Sequence, residues 1–403
     1  MISTRRHNAT VFTALLIAAC NPVPSVDMIE GPRVAAKQSA DPAIILEPAS
    51  GDLLLSWVEG DSAGYRLMFA RSKDEGTTWS DAVPVTTSLD EVKPHAEASP
   101  RMVSANGVVG IFWPKQQHIP GRRFPASHMR FARSTDGGAT WTQPITINDD
   151  TTSTQPAGHT FHGATAMGSS FVVAWLDSRR VTEGSHGAGV AHQEHEGSSY
   201  VYSATSRDLG ATWEPANRKF WGNACPCCRV SLAPIGEDIL AAWRGHFEGD
   251  VRDVVTARLA ADTKPERVHA DNWVFPGCPH SGPALAIDGE DAHIAWFTGA
   301  PGKMGVYYMK RGGEPVRVLG GEQLPTGHPA LALDGNDAIV AVNLNAAGAR
   351  VLTLARISGG KVTTYEVPNS DGADHPQILR VANGSAIVAW TQDSRLRLAQ
   401  VAL

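Results

Sequence analysis

Charge is scarce in this sequence. Charged residues make up 19% of the 403 positions, and Lys and Arg (35) are outnumbered by Asp and Glu (41), for a formal net charge of -6. No basic stripe is present, which argues against nucleic acid as a partner. Long hydrophobic runs are missing as well. The one sustained apolar stretch, Val11 to Ala19, is too short to span a bilayer as a mature helix. Long amphipathic helical periods are absent, which argues against a helical protein. Cysteine is rare at five residues, yet three of the five, Cys225, Cys227 and Cys228, fall within four positions.

Glycine (39) and proline (26) are spread throughout, and the apolar residues come in short runs of Val, Ile, Leu and Trp, the pattern of strands and turns. Length alone allows two or three domains, but a closed all-β fold can use the whole chain. One phrase recurs: a small or Pro residue opens an apolar strand, a turn follows, and a second strand ends in Ala-Trp or similar. It runs Pro42 to Trp57, Pro100 to Trp113, Gly163 to Trp175, Arg229 to Trp243, Pro283 to Trp296, Pro329 to Val342 and Pro376 to Trp390. The spacing, roughly 45 to 70 residues, matches a four-stranded propeller blade with its loops. The expectation is therefore an all-β propeller of seven antiparallel blades, or six if one repeat is a decoration. The last repeat stops after its third strand, and the segment near Val26 to Ala36 is expected to supply the missing outer strand and cover an open edge.

After three of the third strands stands a sharper motif, S-x-D-x-G-x-T-W: Ser72 to Trp79, Ser134 to Trp141 and Ser206 to Trp213. It resembles the Asp-box of the sialidase-type (BNR) propeller superfamily, and the resemblance covers essentially the whole mature chain. Asp74, Asp136 and Asp208 are expected to accept hydrogen bonds from turn amides. Trp79, Trp141 and Trp213 are expected to pack on their blades. The resemblance places these boxes on outer turns away from any ligand, so they identify the fold and catalyse nothing.

The N-terminus has a charged start (Arg5, Arg6, His7) and an apolar stretch, and ends Leu16-Ile17-Ala18-Ala19-Cys20. This resembles a bacterial lipobox. Residues 1–19 then read as a lipoprotein signal, Cys20 as the lipidated N-terminus, 20–32 as a tether and 33–403 as the propeller. Asn21 in place of Asp points to the outer membrane, facing the periplasm or the surface, with the membrane as a partner and the propeller as a monomer. In such an oxidising compartment Cys225, Cys227, Cys228 and Cys278 can form disulfides, in three pairings if all are bridged, or bind metal.

Aligning the seven strand starts gives the column Asp41, Ser99, His162, Cys228, Gly282, His328 and His375, expected to ring the central opening. His95, His159, Cys225, Cys227, Cys278 and His280 lie just upstream. The loop after the second strand of the third repeat adds His186, His192 and His195, and His246 occupies the equivalent loop of the next. Thiolate with imidazole suits copper(I) and zinc(II). The candidate ligands are Cys225, Cys227, Cys228, Cys278, His280, His162, His328 and His375. The competing reading has Cys228 and Cys278 as a disulfide and the histidines bonded to backbone or to sugar hydroxyls.

The sialidase resemblance implies glycosidase chemistry: an arginine cluster for the substrate carboxylate, a Tyr/Glu nucleophile and an Asp acid/base. The counterparts are loose. Arg33 stands in Gly31-Pro32-Arg33-Val34 where the family has Arg-Ile-Pro. Arg101, Arg179, Arg180, Arg229 and Arg244 could face the hub, Glu59 and Asp61 follow the second strand of the first repeat, and Tyr307 and Tyr308 lie within a strand. Three classes follow: a soft-metal-binding envelope propeller, an exo-glycosidase of sialidase type, and a non-catalytic glycan- or protein-binding propeller.

Overall fold

The computed structural model describes residues 25–403 apart from 123–124, 180–198, 261–262, 321–323, 326 and 347–348. The signal segment, Cys20, Arg180 and the histidines at 186, 192 and 195 lie outside the described residues. The chain forms seven antiparallel sheets in chain order, a seven-bladed β-propeller, and the described residues contain only two three-residue 3-10 turns as helix. Blade 1 comprises Gln38–Leu46, Leu53–Asp61, Gly64–Ser72 and Val83–Pro84. Blade 2 comprises Arg101–Ala105, Val108–Gln117, Ala126–Ser134 and Ile145–Thr146. Blade 3 is His159–Met167, Ser170–Asp177, Ser199–Ser206 and Arg218–Ala224; blade 4 is Ser231–Ile235, Asp238–Arg244, Val254–Arg258 and Glu266–Arg267. Blade 5 is Ala284–Asp288, Asp291–Thr298, Gly305–Lys310 and Val316–Gly320. In blade 6 the inner edge comes in two pieces, Leu324–Pro325 and Ala330–Asp334, both paired with Asp337–Ala346; Ala349–Ser358 and Lys361–Glu366 complete the sheet.

Blade 7 takes Ala373–Arg380, Ser385–Gln392 and Arg395–Ala402 from the C-terminal end, and its outer strand is Val26–Ile29. The expected closure is thus observed: Val26 pairs with Val401 and Ile29 with Leu398. This strand lies inside the stretch 20–32 read as a tether, so four of those residues belong to the propeller.

Each second strand carries the packing. Trp57, Trp113, Trp175, Trp243, Trp296 and Trp390 are among the largest fully buried side chains, with Val342 taking the same place in blade 6. Burying a Trp removes about 200 Å² from water, worth up to about 5 kcal/mol, so these positions anchor the blades. Several of the indole N–H groups end on an acid. Trp57 donates to Glu59 (3.0 Å), Trp175 to Asp177 (2.8 Å) and Trp296 to Asp271 (2.7 Å).

The three Asp-boxes form as expected on the turns between third and fourth strands. Asp74 Oδ1 accepts the Ser72 hydroxyl and the Thr78 amide, both at 2.8 Å, and Asp136 and Asp208 repeat the arrangement with Thr140 and Thr212. The Thr140 hydroxyl, with the Ser134 hydroxyl, holds Asp136 down at a pKa of about 2; the Thr212 hydroxyl and amide do the same for Asp208. Trp79, Trp141 and Trp213 pack against the core of their blades.

Candidate functional site

The propeller axis is ringed by residues that directly precede, or lie within, the innermost strands. Five of them, Asp41 (φ 54), Phe161 (φ 55), His280 (φ 48), His328 (φ 56) and His375 (φ 50), occupy left-handed backbone that non-glycine residues rarely adopt. Asp41, His328 and His375 do so immediately before a proline, which adds a steric conflict. Strain of this kind persists only where surrounding structure enforces it, and it clusters at functional sites.

Glu97, on a 3-10 turn leading into blade 2, sits at the centre of the ring and is 2% exposed. It accepts the Gly282 amide of the blade 5 approach at 2.7 Å. It also contacts Arg229 of the blade 4 approach (3.6 Å) and His328 Nδ1 of the blade 6 approach (3.2 Å). Burial alone would raise its pKa, but Arg229, His328 and the Gly282 amide hold the carboxyl well below the usual range. Around it, burial with neighbouring Arg229 brings Arg101 down to about 9. Burial with neighbouring His328 brings His375 down to about 2, and burial raises Asp41 to about 6. The His328 and His375 rings meet at 4.4 Å, and His375 Nδ1 lies 3.1 Å from Asp374. Glu97 carried no signal in the sequence beyond standing two residues before the Ser99-Pro100 strand start. Only the repeat phase marks that position.

Beside this ring lies a sulfur cluster. Cys225, Cys227 and Cys228 occupy the connection from the outer strand of blade 3 to the inner strand of blade 4; Cys278 and His280 occupy the next one, from blade 4 to blade 5. The two connections flank blade 4 on one face. The first is pinned to that blade by the Cys225 amide on Arg244 O and the His246 amide on Asn223 O, both 2.8 Å. Two groups of donor atoms result, each within 4.8 Å: the three buried thiols, and Cys227 with exposed Cys278 and His280. The sulfurs of Cys225 and Cys227, and of Cys225 and Cys228, stand 3.8 Å apart, and none of the four cysteines is in a disulfide. A disulfide requires about 2.05 Å. A metal–sulfur bond of about 2.3 Å places two bound sulfurs about 3.8 Å apart at a tetrahedral angle and about 4.0 Å apart in a trigonal plane.

Blade 4 supplies cations beneath the thiols. Arg244 (1% exposed) ends its strand and donates to the carbonyls of Ser281, Arg252 and Phe297, and Arg252 (0% exposed) follows in the next loop. Hydrogen bonds from the Cys227 and Cys228 thiols, with the Arg252 and Arg244 charges, hold the Cys225 thiol well below its ordinary range. Cys227 is pushed up by its bond to Cys225 and Cys228 by burial. Cys228 Sγ also accepts the Ser281 amide at 3.4 Å, one residue from the amide that binds Glu97, so cluster and ring are adjacent.

The structure thus brings together Cys225, Cys227, Cys228, Cys278 and His280 of the candidate ligands. His328 and His375 stay in the axial ring, outside both donor groups. His162 is separate too. The register shift between Thr160 and Gly163 recurs between Ala40 and Ala43 in blade 1 and between Asp374 and Gln377 in blade 7, so Phe161 is the counterpart of Asp41 and His375, and His162 takes the place of Pro42 and Pro376 on the other face. His162 is consequently buried against blade 2 with Nε2 3.1 Å from Phe112 O, and burial brings its pKa down to about 3.

Of the described residues considered for glycosidase chemistry, Arg101 and Arg229 join the ring. Arg33 is exposed, and Asp61 caps its own turn through the Ala63 amide. Tyr307 stacks on Trp296 with its hydroxyl on Lys303 O. Arg244 is spent on carbonyls. Arg179 is locked with Asp177 and Asp149 in a separate network at the blade 3 entrance, where His159 Nε2 lies 2.9 Å from Asp150.

No family model matches the chain, and no curated protein matches it in sequence. Solved structures do. An ulvan lyase from a polysaccharide lyase family superposes with a TM-score of 0.57 at 14% identity, covering 90% of this chain and 94% of that one. A Hadza microbial sialidase gives 0.50 at 14% identity over 91% of this chain and 66% of that one, so this chain spans somewhat less than two thirds of its length. The sialidase of Trypanosoma rangeli gives 0.48 at 11% identity over 95% and 59%. At such identities the likeness is one of architecture. With three formed Asp-boxes on a closed seven-blade ring, the chain has the fold of the sialidase-type propellers.

Proposed function

We propose that this protein is an envelope propeller that binds a soft metal ion, copper or zinc, between the two connections flanking blade 4. The observation that carries the reading is the set of buried, unbridged thiols of Cys225, Cys227 and Cys228 at metal-edge spacing, 3.8 Å from Cys225 to each of the other two, with buried arginines beside them. Buried thiolates left alone would carry a heavy desolvation cost; cationic neighbours and a bound cation offset it. The anchor belongs to the same proposal. A lipid on Cys20 would tie the ring closely to the membrane, because the six residues to Val26 reach at most about 20 Å. Blade 7 would then sit next to the outer membrane, on the periplasmic or the surface side.

The test is metal analysis of protein purified from copper- and zinc-replete cells, beside Cys228→Ser. Near-stoichiometric metal in the native protein, and loss of most of it in the variant, is expected. No stoichiometric metal in the native protein sinks the proposal.

A second reading is favoured by the axial ring. Arg101 Nη2 and Ser281 Oγ are buried with no hydrogen-bond partner among the described residues, and Glu97 Oε2 and His328 Nδ1 have only ion-pair contacts, to Arg229 at 3.6 Å and to Glu97 Oε1 at 3.2 Å. Buried polar atoms are rarely left so, which supports a small polar ligand such as a sugar at the axis. Turnover of a fluorogenic sialoside would make it an exo-glycosidase; binding without turnover would make it a glycan receptor. Sialidase chemistry fits this ring poorly, since Arg229 already faces Glu97 and, among the described residues, Arg101 is the one further arginine beside it.

A further inference from the structure

We infer that the sulfur cluster is a two-ion copper(I) centre, with the Cys227 thiolate bridging an inner ion held by Cys225, Cys227 and Cys228 to an outer ion held by Cys227, Cys278 and His280. This rests on the soft-metal reading above and extends it to number, identity and order of sites.

Three observations converge. First, the donors divide into two groups of three that share Cys227 alone, not into one group of four. Structural zinc is almost always held by four protein donors, so zinc in either set would need a water as its fourth ligand, which the sealed inner set has little room for, whereas soft thiolate donors suit copper(I). Second, the charges favour a monovalent ion. Four thiolates, two copper(I) ions and a neutral imidazole leave two negative charges beside the buried guanidinium groups of Arg244 and Arg252, the second of which is already partly compensated by Asp250. Arg244 has no carboxylate among its partners, and Arg252 leaves Nη1 without a partner while Nη2 meets half-buried Asp250 at 3.1 Å. Two zinc(II) ions would neutralise the thiolates fully and leave Arg244 buried and uncompensated, at a cost of several kcal/mol. Third, burial is graded. Cys225 and Cys228 are sealed at 0% exposure, while Cys278 and His280 open to solvent, and His280 is held in strained left-handed backbone. An ion can thus bind at the exposed pair and reach the inner thiols by ligand exchange at Cys227, each thiol losing its proton as it binds.

The experiment is an anaerobic titration of the reduced full chain with copper(I) against a chromogenic copper(I) chelator, with copper X-ray absorption on the loaded protein. The wild type is expected to take up about two ions with a short copper–copper vector. The Cys278→Ser/His280→Ala variant changes exposed side chains and should fold, as its thermal melt will verify. It is expected to keep about one ion and lose the vector. Cys227→Ser is expected to lose the vector too. A single ion in the wild type, two ions in the double variant, or zinc retained against equimolar copper(I) would each overturn the two-ion centre while leaving soft-metal binding intact. Failure to bind either metal would overturn both.

Discussion

Asp41 is a carboxylate held where ionisation is unfavourable. It is 5% exposed, its Oδ2 accepts the His95 amide at 2.6 Å, and burial, opposed by that bond and by Arg101, raises its pKa from 3.8 to about 6. The sign is opposite to that of most protein carboxylates. The folded state holds the proton more tightly than the unfolded chain, so stability is lost as pH rises from about 4 through 6, by up to about 3 kcal/mol for a shift of this size. Asp41→Asn keeps an acceptor for His95, and Asn tolerates a positive φ. The variant is expected to melt higher than wild type at pH 7.5 and equally at pH 4. Equal melting at both values would show that Asp41 is ionised without penalty. The strained neighbours Phe161, His328 and His375 fit the same pattern of a ring assembled against local preference.

Between the blades, elements approach so closely that glycine is required. A Cβ on Gly163 would stand 2.4 Å from Val230 O and 3.2 Å from the Ser231 Cα, both backbone of the blade 4 approach. One on Gly282 would meet Arg229 O at 2.6 Å. Backbone cannot step aside as a flexible side chain can, so Gly163→Ala is expected to cost roughly 2–4 kcal/mol, near the upper range for overpacking. Gly168→Ala, whose added Cβ meets nothing within 4 Å, adds only backbone strain at φ 58 and should cost less. Urea midpoints of the two variants check this, and equal losses would mean that contact between blades is not what demands Gly163. The strands themselves were legible because period-two alternation, turn residues and a recurring Trp survive in each repeat, and the Asp-box turns because their hydrogen bonds are local. The direction in which strand-start residues point was not. The same bulge recurs in blades 1, 3 and 7, but blade 3 has no proline to mark it, so the repeat phase puts His162 in the column where Phe161 stands; the turn carrying Glu97 has no periodic signature. Cys278 and His280 were recognisable as partners of the first three cysteines because both stretches fall on connections to neighbouring blades, which the repeat phase places side by side.

For the whole molecule the decisive contact is the one between its ends. Six blades are each built from continuous chain, but blade 7 is complete only when Val26–Ile29 pairs with Arg395–Ala402, and Ala402 N donates onward to Ser25 O at 3.0 Å. Val26 packs with the cluster around Trp390 and Val401, and Ile29 with the one around Leu53 and Leu398, so the strand joins the core on both sides of blade 7. Two apolar side chains at about 1.5–3 kcal/mol each and a few ladder bonds at about 1 kcal/mol each, less the entropy of ordering four residues, leave a net contribution of roughly 2–5 kcal/mol. Its loss would also expose Arg395–Ala402 as an unpaired edge, with Leu398 and Val401 uncovered, a template for pairing with another chain. A chain beginning at residue 31 is therefore expected to melt several degrees below one beginning at residue 21 and to self-associate on size-exclusion chromatography. A strand supplied in trans as a peptide covering residues 21–31 should reverse both effects at millimolar concentration. If the shortened chain matches the longer one in melting and stays monomeric, the ring is held by its six continuous blades alone, and the N-terminal strand is an ornament on a fold already closed.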